Sequence, residues 1–325
     1  MKNLGGFIST LISNSEKNIF VICNLLACGG KAKERWTKFL AEAEQSGYNV
    51  NYCVTEQIGH ATEIARREAQ KGIKRICAFG GDGTINEVLN GIIENDTLIN
   101  PDIELVYLSA GSSCDVEKIF PEKQSLLERL DSRKSYLVDV CRLECFDKGG
   151  NQIVRYFLAN SSIGIISQSI ALFNRKTVFM DFLKRVNIDI AALYAGIKNI
   201  IGFGNMDCRI SRNNRNTIKQ QLKNITVFKC PYFGGGMNYG IDTTYDDGKL
   251  HVATIDAVSR FKTFCIIPSL YTGNILKKRQ ANYYQVKNLN FDIVGKKVSI
   301  EADGEIVGFP PCQYSLLPRF LKLII

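Results

Sequence analysis

Seven consecutive residues, Gly80, Gly81, Asp82, Gly83, Thr84, Ile85 and Asn86, separate an apolar stretch, Ile73 to Phe79, from a helix-patterned stretch, Glu87 to Ile93. Three glycines around one acid let the backbone turn sharply and bring bare N–H groups against an anion, at the positive end of the following helix. That is the chemistry of a phosphate cradle. A carboxylate there would repel phosphate, so Asp82 implies either a divalent cation between the two or an ordered donor network. The implied ligand is a metal nucleotide. A ligand-free account also exists, because Thr84-x-x-Glu87 has the spacing of a capping box. It leaves the Gly-Gly-Asp-Gly cluster unexplained, and neither the P-loop nor the dinucleotide-binding glycine fingerprint fits these residues.

Three further turns carry polar or glycine-rich chemistry. Asn24, Leu25, Leu26, Ala27 and Cys28 lead into Gly29-Gly30-Lys31, a second candidate phosphate contact at a strand end. Leu108-Ser-Ala-Gly-Ser-Ser-Cys-Asp115 places small hydroxyls, Ser112 among them, where they either face a nucleotide or cap a helix at Ser113 or Asp115. Lys297 to Glu301 alternates as a strand into Ala302-Asp303-Gly304-Glu305. Asp-Gly favours a tight hairpin. If the segment stays extended instead, Asp303 and Glu305 share one face and can divide the acceptance of a hydroxyl proton from the orientation of its acceptor.

These turns need a scaffold, and the pattern around them supplies one. Strand-like Ile19–Asn24, Asn49–Thr55, Ile73–Phe79 and Asp102–Ser109 alternate with helix-like Glu34–Ser46, Ala61–Lys71 and Asn86–Ile93. That alternation predicts an α/β fold with a parallel sheet of right-handed crossover units and a site at the carboxyl ends of its strands. From Tyr136 the grammar becomes β-rich, with strands expected over Tyr136–Cys145, Val154–Asn160, Asn224–Cys230, Leu250–Ile255, Asn290–Val294 and Lys297–Glu301. The expected organisation is an α/β domain over residues 1–135 with 313–325, and a mainly antiparallel β domain over 136–312. Arg175 to Gly204 is expected as a helical insertion whose basic apolar part, Phe179 to Arg185, serves either as core or as a surface for a bilayer.

The chain of 325 residues is long enough for two cores, and its formal charge of +9 favours anionic partners such as nucleotides or an anionic membrane surface. No nucleic acid partner is expected, since no aromatic-interleaved basic stripe is present. Eleven cysteines without a C-x-x-C pair read as free thiols of a reducing cytoplasm, and a zinc site is not expected. With His60 and His251 the sole histidines, a Cys–His nucleophile is not expected either. Met1 to Phe20 lacks the long uninterrupted apolar region of a signal peptide. No run of 18 apolar residues suits a transmembrane helix, so membrane contact is expected to be peripheral. A homodimer is compatible with the sequence.

Taken in order, the motifs resemble the diacylglycerol kinase catalytic-domain superfamily, in particular the bacterial soluble lipid kinases that also resemble sphingosine kinases. Gly80 to Gly91, GGDGTINEVLNG, is the most specific part. Thr55, Gly59-His-Ala61, Tyr156-Phe-Leu-Ala-Asn160 with Gly164, Gly234-Gly-Gly-Met237, Asp247-Gly-Lys-Leu250 and Asp303-Gly-Glu305 support it. The GGDGT element is shared with NAD kinases and phosphofructokinases. The resemblance implies an ATP-dependent lipid kinase that uses Mg2+, with ATP on the first domain and a lipid hydroxyl, of diacylglycerol or a related alcohol, entering from the second. It implies nucleotide contacts at Asn24 to Cys28, Thr55, Gly80 to Asn86, Glu87 and Ser112. It also implies Asp82, Asp303 and Glu305 as catalytic acids, Glu305 as the proton acceptor, and a structural magnesium at Asp247 with main-chain oxygens of Thr244 and Lys249. Two departures stand out: Leu25 replaces a proline, and Cys114 replaces an amide side chain. A thiol is a poor hydrogen-bond substitute for an amide, so the alternatives are an NAD kinase-like small-molecule kinase and a catalytically silent lipid- or nucleotide-binding protein.

Overall fold

A computed structural model describes residues 18–122, 124–175, 177–186 and 188–325. The expectation about the amino terminus therefore lies largely outside the described residues. The chain divides into two units. One takes the residues up to Ser112, Glu122–Tyr136 and Leu321–Ile325; the other takes Ser113–Pro121 and Leu137–Phe320.

In the first unit, β1 (Asn18–Cys23), β2 (Asn49–Val54), β3 (Arg75–Gly80) and β4 (Glu104–Ser109) are joined by helices α1 (Ala32–Gln45), α2 (His60–Gln70) and α3 (Asp82–Ile92). All of these strands pair in parallel, in the order β2-β1-β3-β4, and Lys322–Ile324 add a further parallel strand beside β4. The chain passes from β1 out to β2 and returns to β3 on the other flank of β1. The carboxyl ends of β1 and β3 therefore form a topological switch point, where open α/β sheets leave a crevice for ligand. β3 is buried over Ile76–Gly80, as a strand covered on both faces must be. α1 seals one face with Trp36, edge-on to Phe79 with ring centroids 5.0 Å apart, while Phe39 stacks on Phe79. α3 is buried nearly all round, and Gly91 explains how: a Cβ there would lie 2.5 Å from the Thr62 carbonyl and 2.6 Å from the Ala65 Cβ of α2.

In the second unit the strand pairs that follow are antiparallel. β5 (Tyr136–Phe146) and β6 (Gln152–Phe157) form a hairpin closed by the Asp147–Gly150 turn that the sequence predicts. β7 (Asn160–Gly164) and β8 (Met206–Arg212) flank β9 (Ile218–Phe228), which also pairs with β10 (Leu250–Asp256), and β10 in turn pairs with β11 (Ala281–Val286). β12 (Leu289–Val294) lies between β8 and β14 (Glu305–Ile324), and β13 (Ile300–Ala302) pairs with both β7 and β14. Phe157, Leu222, Val252, Phe291 and Tyr314 belong to its buried core. Three helices run between β7 and β8: α4 (Ile165–Phe173), α5 (Val178–Val186) and α6 (Ile188–Gly202).

Two expectations are revised. The boundary at 312/313 falls inside β14, where Cys312, Gln313 and Tyr314 pair with Phe291, Asn290 and Leu289 of the second unit. Only the last residues of that strand join the first sheet, because its length of 20 residues spans the separate pairings. The helix after the glycine run begins at Asp82 rather than Asn86, so Asp82, Gly83 and Thr84 are its first turn and not a preceding loop.

Candidate active site

The first unit's candidate site is built from backbone at the switch point. Gly81 is the extended N-cap of α3, and its carbonyl accepts the Thr84 and Ile85 amides at 3.0 and 3.2 Å. The first-turn amides of a helix carry its positive pole. Close packing makes Gly80 necessary, since a Cβ there would lie 2.3 Å from Thr84 Oγ1, and leaves little room at Gly81, where one would lie 3.3 Å from the Gly111 Cα. The sheet end is stitched to the helix, since Asn24 N–H donates to the Phe79 carbonyl at 2.9 Å and Asn24 Nδ2 to Thr84 Oγ1 at 3.2 Å. Asn24 Oδ1 accepts the Leu26 amide, turning the chain into Ala27 and Cys28, and Cys28 and Gly29 both adopt positive φ. Thr55 hangs from the Cys23 carbonyl at 2.8 Å. Asp82 is half-buried with Tyr107 Oη 3.4 Å from its Oδ1, while Ile85 and Asn86 are buried in the body of α3. Leu25 packs against the core, Leu26 is exposed, and Ser112 ends the unit's segment beyond β4.

The expected Thr84–Glu87 capping box does not form. Glu87 instead accepts the Gly59 and Ala61 amides at 2.9 and 3.1 Å, so its carboxylate caps α2. This geometry gives Glu87 a scaffolding part. The capping-box spacing concealed it, since the partners lie 26 and 28 residues upstream.

The second unit's candidate site is an acid turn built from side chains. Ala302 pairs with Glu305, and Asp303 and Gly304 between them both have positive φ, so the segment is a two-residue hairpin. Asp303 and Glu305 therefore do not lie along one extended face. Asp303 is 5% exposed, and its carboxylate accepts three amides: Leu158 at 3.0 Å, Ala159 at 2.9 Å and Asn160 at 3.1 Å. Its own amide donates to the Asn160 carbonyl at 2.8 Å. The Tyr156-Phe-Leu-Ala-Asn160 run thus acts as a seat for Asp303, and Glu305 is the partly exposed carboxylate of the turn. Beneath it lies Glu301, 1% exposed, whose Oε2 accepts the Gly304 amide at 3.1 Å. Burial pushes the Glu301 carboxyl up to about 8, and the Asp303 charge adds to the rise, so it holds its proton at neutral pH. Sequence reasoning missed Glu301, although an acid at an inward-facing strand position was visible.

The expected magnesium residues lie in the same unit with a different partner. The Lys229 ammonium, 1% exposed, donates to Asp139 Oδ2 at 2.8 Å, to Asp247 Oδ1, and to the Lys249 carbonyl at 3.2 Å. Asp247 Oδ2 lies 2.7 Å from His251 Nε2. Burial disfavours both charges, yet the hydrogen bonds outweigh it, holding Asp247 well below the usual carboxylate range and Lys229 above that of a free lysine. An ion bound to Asp247 Oδ1 and the Lys249 carbonyl would touch an ammonium bonded to the same two atoms, so these residues do not fit a divalent metal. Thr244 is exposed and contributes no bond to the cluster, and no group of metal-ligating side chains occurs among the described residues.

The two units define a class: an α/β unit with a glycine-forced helix start at its switch point, followed in the chain by an antiparallel β unit with an acid turn. Residues 18–143 match the diacylglycerol kinase catalytic domain, and residues 174–325 match the YegS C-terminal NAD kinase beta sandwich-like domain. The chain belongs to the diacylglycerol kinase catalytic-domain superfamily. It is 24% identical over 280 residues to the Bacillus subtilis protein named "Putative lipid kinase YtlR", covering 83% of this chain and 87% of that one. A solved structure titled as a putative diacylglycerol kinase from Bacillus anthracis superposes with a TM-score of 0.71 at 18% identity, over 95% of this chain and 97% of the other. Yeast NADH kinase shares the fold more distantly, with a TM-score of 0.51 at 11% identity, over 94% of this chain and 82% of the other.

Proposed function

We propose that this protein is an ATP-dependent lipid kinase that transfers the γ-phosphoryl group to the hydroxyl of a lipid alcohol such as diacylglycerol. The carrying observation is that one family member has both features: a helix start that tolerates no side chain at Gly80, and an acid turn whose Asp303 is held by three amides. Phosphoryl transfer asks for positioning and charge neutralisation more than covalent chemistry. The backbone amides from Gly81 to Gly83 hold the phosphates, with Asn24 to Cys28, Thr55 and Ser112 around the nucleotide. Asp82 holds the nucleotide's magnesium, which supplies neutralisation of phosphate charge. Glu305 accepts the hydroxyl proton. Asp303 is a positioning residue, fixing the turn that carries Glu305.

The lipid acceptor draws support from surface apolarity. On α5 and α6, Phe179, Phe182, Leu193 and Ile201 are exposed, and Phe261 and Phe264 of the helix Arg260–Ile266 are exposed as well. With the excess positive charge, these residues suit the peripheral surface of an anionic bilayer. No helix among the described residues is long and apolar enough to cross a membrane. All eleven cysteines are free, which supports a reducing compartment.

The test is transfer of label from γ-labelled ATP, with magnesium, to a total lipid extract in mixed micelles. The expected result is a labelled lipid that disappears in Asp82→Asn, with turnover down about 10³-fold, the scale of losing one charge-stabilising group. Label appearing on NAD and on no lipid would overturn the lipid reading. ATP binding without transfer to lipid or NAD would favour a silent binder.

A further inference from the structure

We propose that the second unit fastens its Thr243–Lys249 loop with an internal ammonium, Lys229, seated where the family resemblance calls for a metal ion. The seat is complete. Each of the three ammonium donors has an oxygen: Asp139 Oδ2, Asp247 Oδ1 and the Lys249 carbonyl.

The remaining acceptors are also spent. Asp139 Oδ2 accepts the Gly248 amide at 2.8 Å, and its Oδ1 accepts the Arg319 amide at 2.8 Å. Asp247 Oδ1 accepts the Lys249 amide at 3.1 Å, and its Oδ2 faces His251, whose Nδ1 lies 2.8 Å from Tyr283 Oη. The Lys229 carbonyl holds Thr243 Oγ1 at 2.6 Å, so both ends of the residue are tied to this loop. One lysine thus links β5, the loop and the end of β14. An ammonium is a compact point charge with three donors, which suits a pocket of two carboxylates and one carbonyl. Magnesium would require near-octahedral oxygen coordination, and the oxygens it would use are taken.

The consequence is a loop whose integrity does not respond to chelation. Any divalent-ion dependence of turnover then reports on the nucleotide's own metal.

The experiment uses the full chain without nucleotide or lipid, so it is independent of the kinase reading. Melting is followed in EDTA and in millimolar Mg2+, Mn2+ or Ca2+, for the wild type, Asp247→Asn and Lys229→Ala. The wild type is expected to melt at the same temperature, within about 1 °C, in every condition. Lys229→Ala is expected to melt lower by roughly 10 °C in EDTA, since removing one partner strands the buried Asp139 carboxylate and the partly buried one of Asp247, and to recover at least half of that loss with a divalent ion. A wild-type melting temperature that falls in EDTA, with Asp247→Asn abolishing the response, would overturn the inference. So would a Lys229→Ala protein as stable as the wild type in EDTA. Should Lys229→Ala fail to fold in every condition, the wild-type and Asp247→Asn comparison decides alone.

Discussion

The glycine-forced start of α3 and the acid turn before β14 solve the same problem, placing charge where chemistry needs it, with opposite materials. At α3 the backbone is the functional group, and side chains are removed to let it approach. At the turn the side chains are functional, and backbone amides are recruited to hold them: Asp303 takes three, Glu301 takes one. A site made of backbone is sensitive to added bulk and indifferent to pH. A site made of buried carboxylates is sensitive to proton and partner, and tolerates bulk changes around it.

The largest separation between the two regions is expected in pH. Folded Glu301 keeps its proton up to about pH 8, whereas its ordinary value is 4.5, so the native state binds the extra proton between these limits. Stability is therefore full below pH 4.5, falls as pH rises toward 8, and levels above it, a loss on the order of 5 kcal/mol at most. Glu301→Gln, which cannot ionise, is expected to remove that slope from urea unfolding measured between pH 5 and 8. An unchanged slope would mean that Glu301 is ionised in the folded protein. Asp303→Asn comes next, because an amide nitrogen would face backbone N–H groups. It is expected to cost about 3 kcal/mol in the same assay, the price of stranding buried donors; no loss would show that the three amides do not depend on the carboxylate.

At α3 the expected effect is smaller and steric. Gly80→Ala is expected to cost about 2 kcal/mol by overpacking against Thr84. The Gly80→Ala, Thr84→Ala double variant should recover part of it, a coupling that a double-mutant cycle reads directly. Strict additivity would remove the contact with Thr84 as the reason for glycine.

The same contrast decides what was legible in the sequence. Parallel strands β1, β3 and β4 and the Gly80–Gly81 turn stand out locally, as short apolar runs ending in glycine or small polar residues. The helix start was misplaced because Asp82 and Gly83 read as loop residues until the structure shows them in the first turn. Side-chain sites were less visible. Glu87 has its partners at Gly59 and Ala61, Asp303 has its at Leu158 to Asn160, and Lys229 lies in the apolar run Thr226–Cys230, where a lone lysine was the sole hint of a buried ion pair. β14 was missed because Pro310, Pro311 and Pro318 argue against a strand, whereas they are tolerated within its changing partners.

The central claim is that Glu305 takes the proton of the accepting hydroxyl while the first unit's turns govern the nucleotide. Its most direct measurement is the turnover of Glu305→Gln with saturating γ-labelled ATP and lipid micelles, alongside its ATP affinity. The account predicts a rate lower by about 10²- to 10⁴-fold with ATP affinity unchanged. Turnover within a factor of about three of the wild type, below the smallest effect expected of a general base, would contradict it.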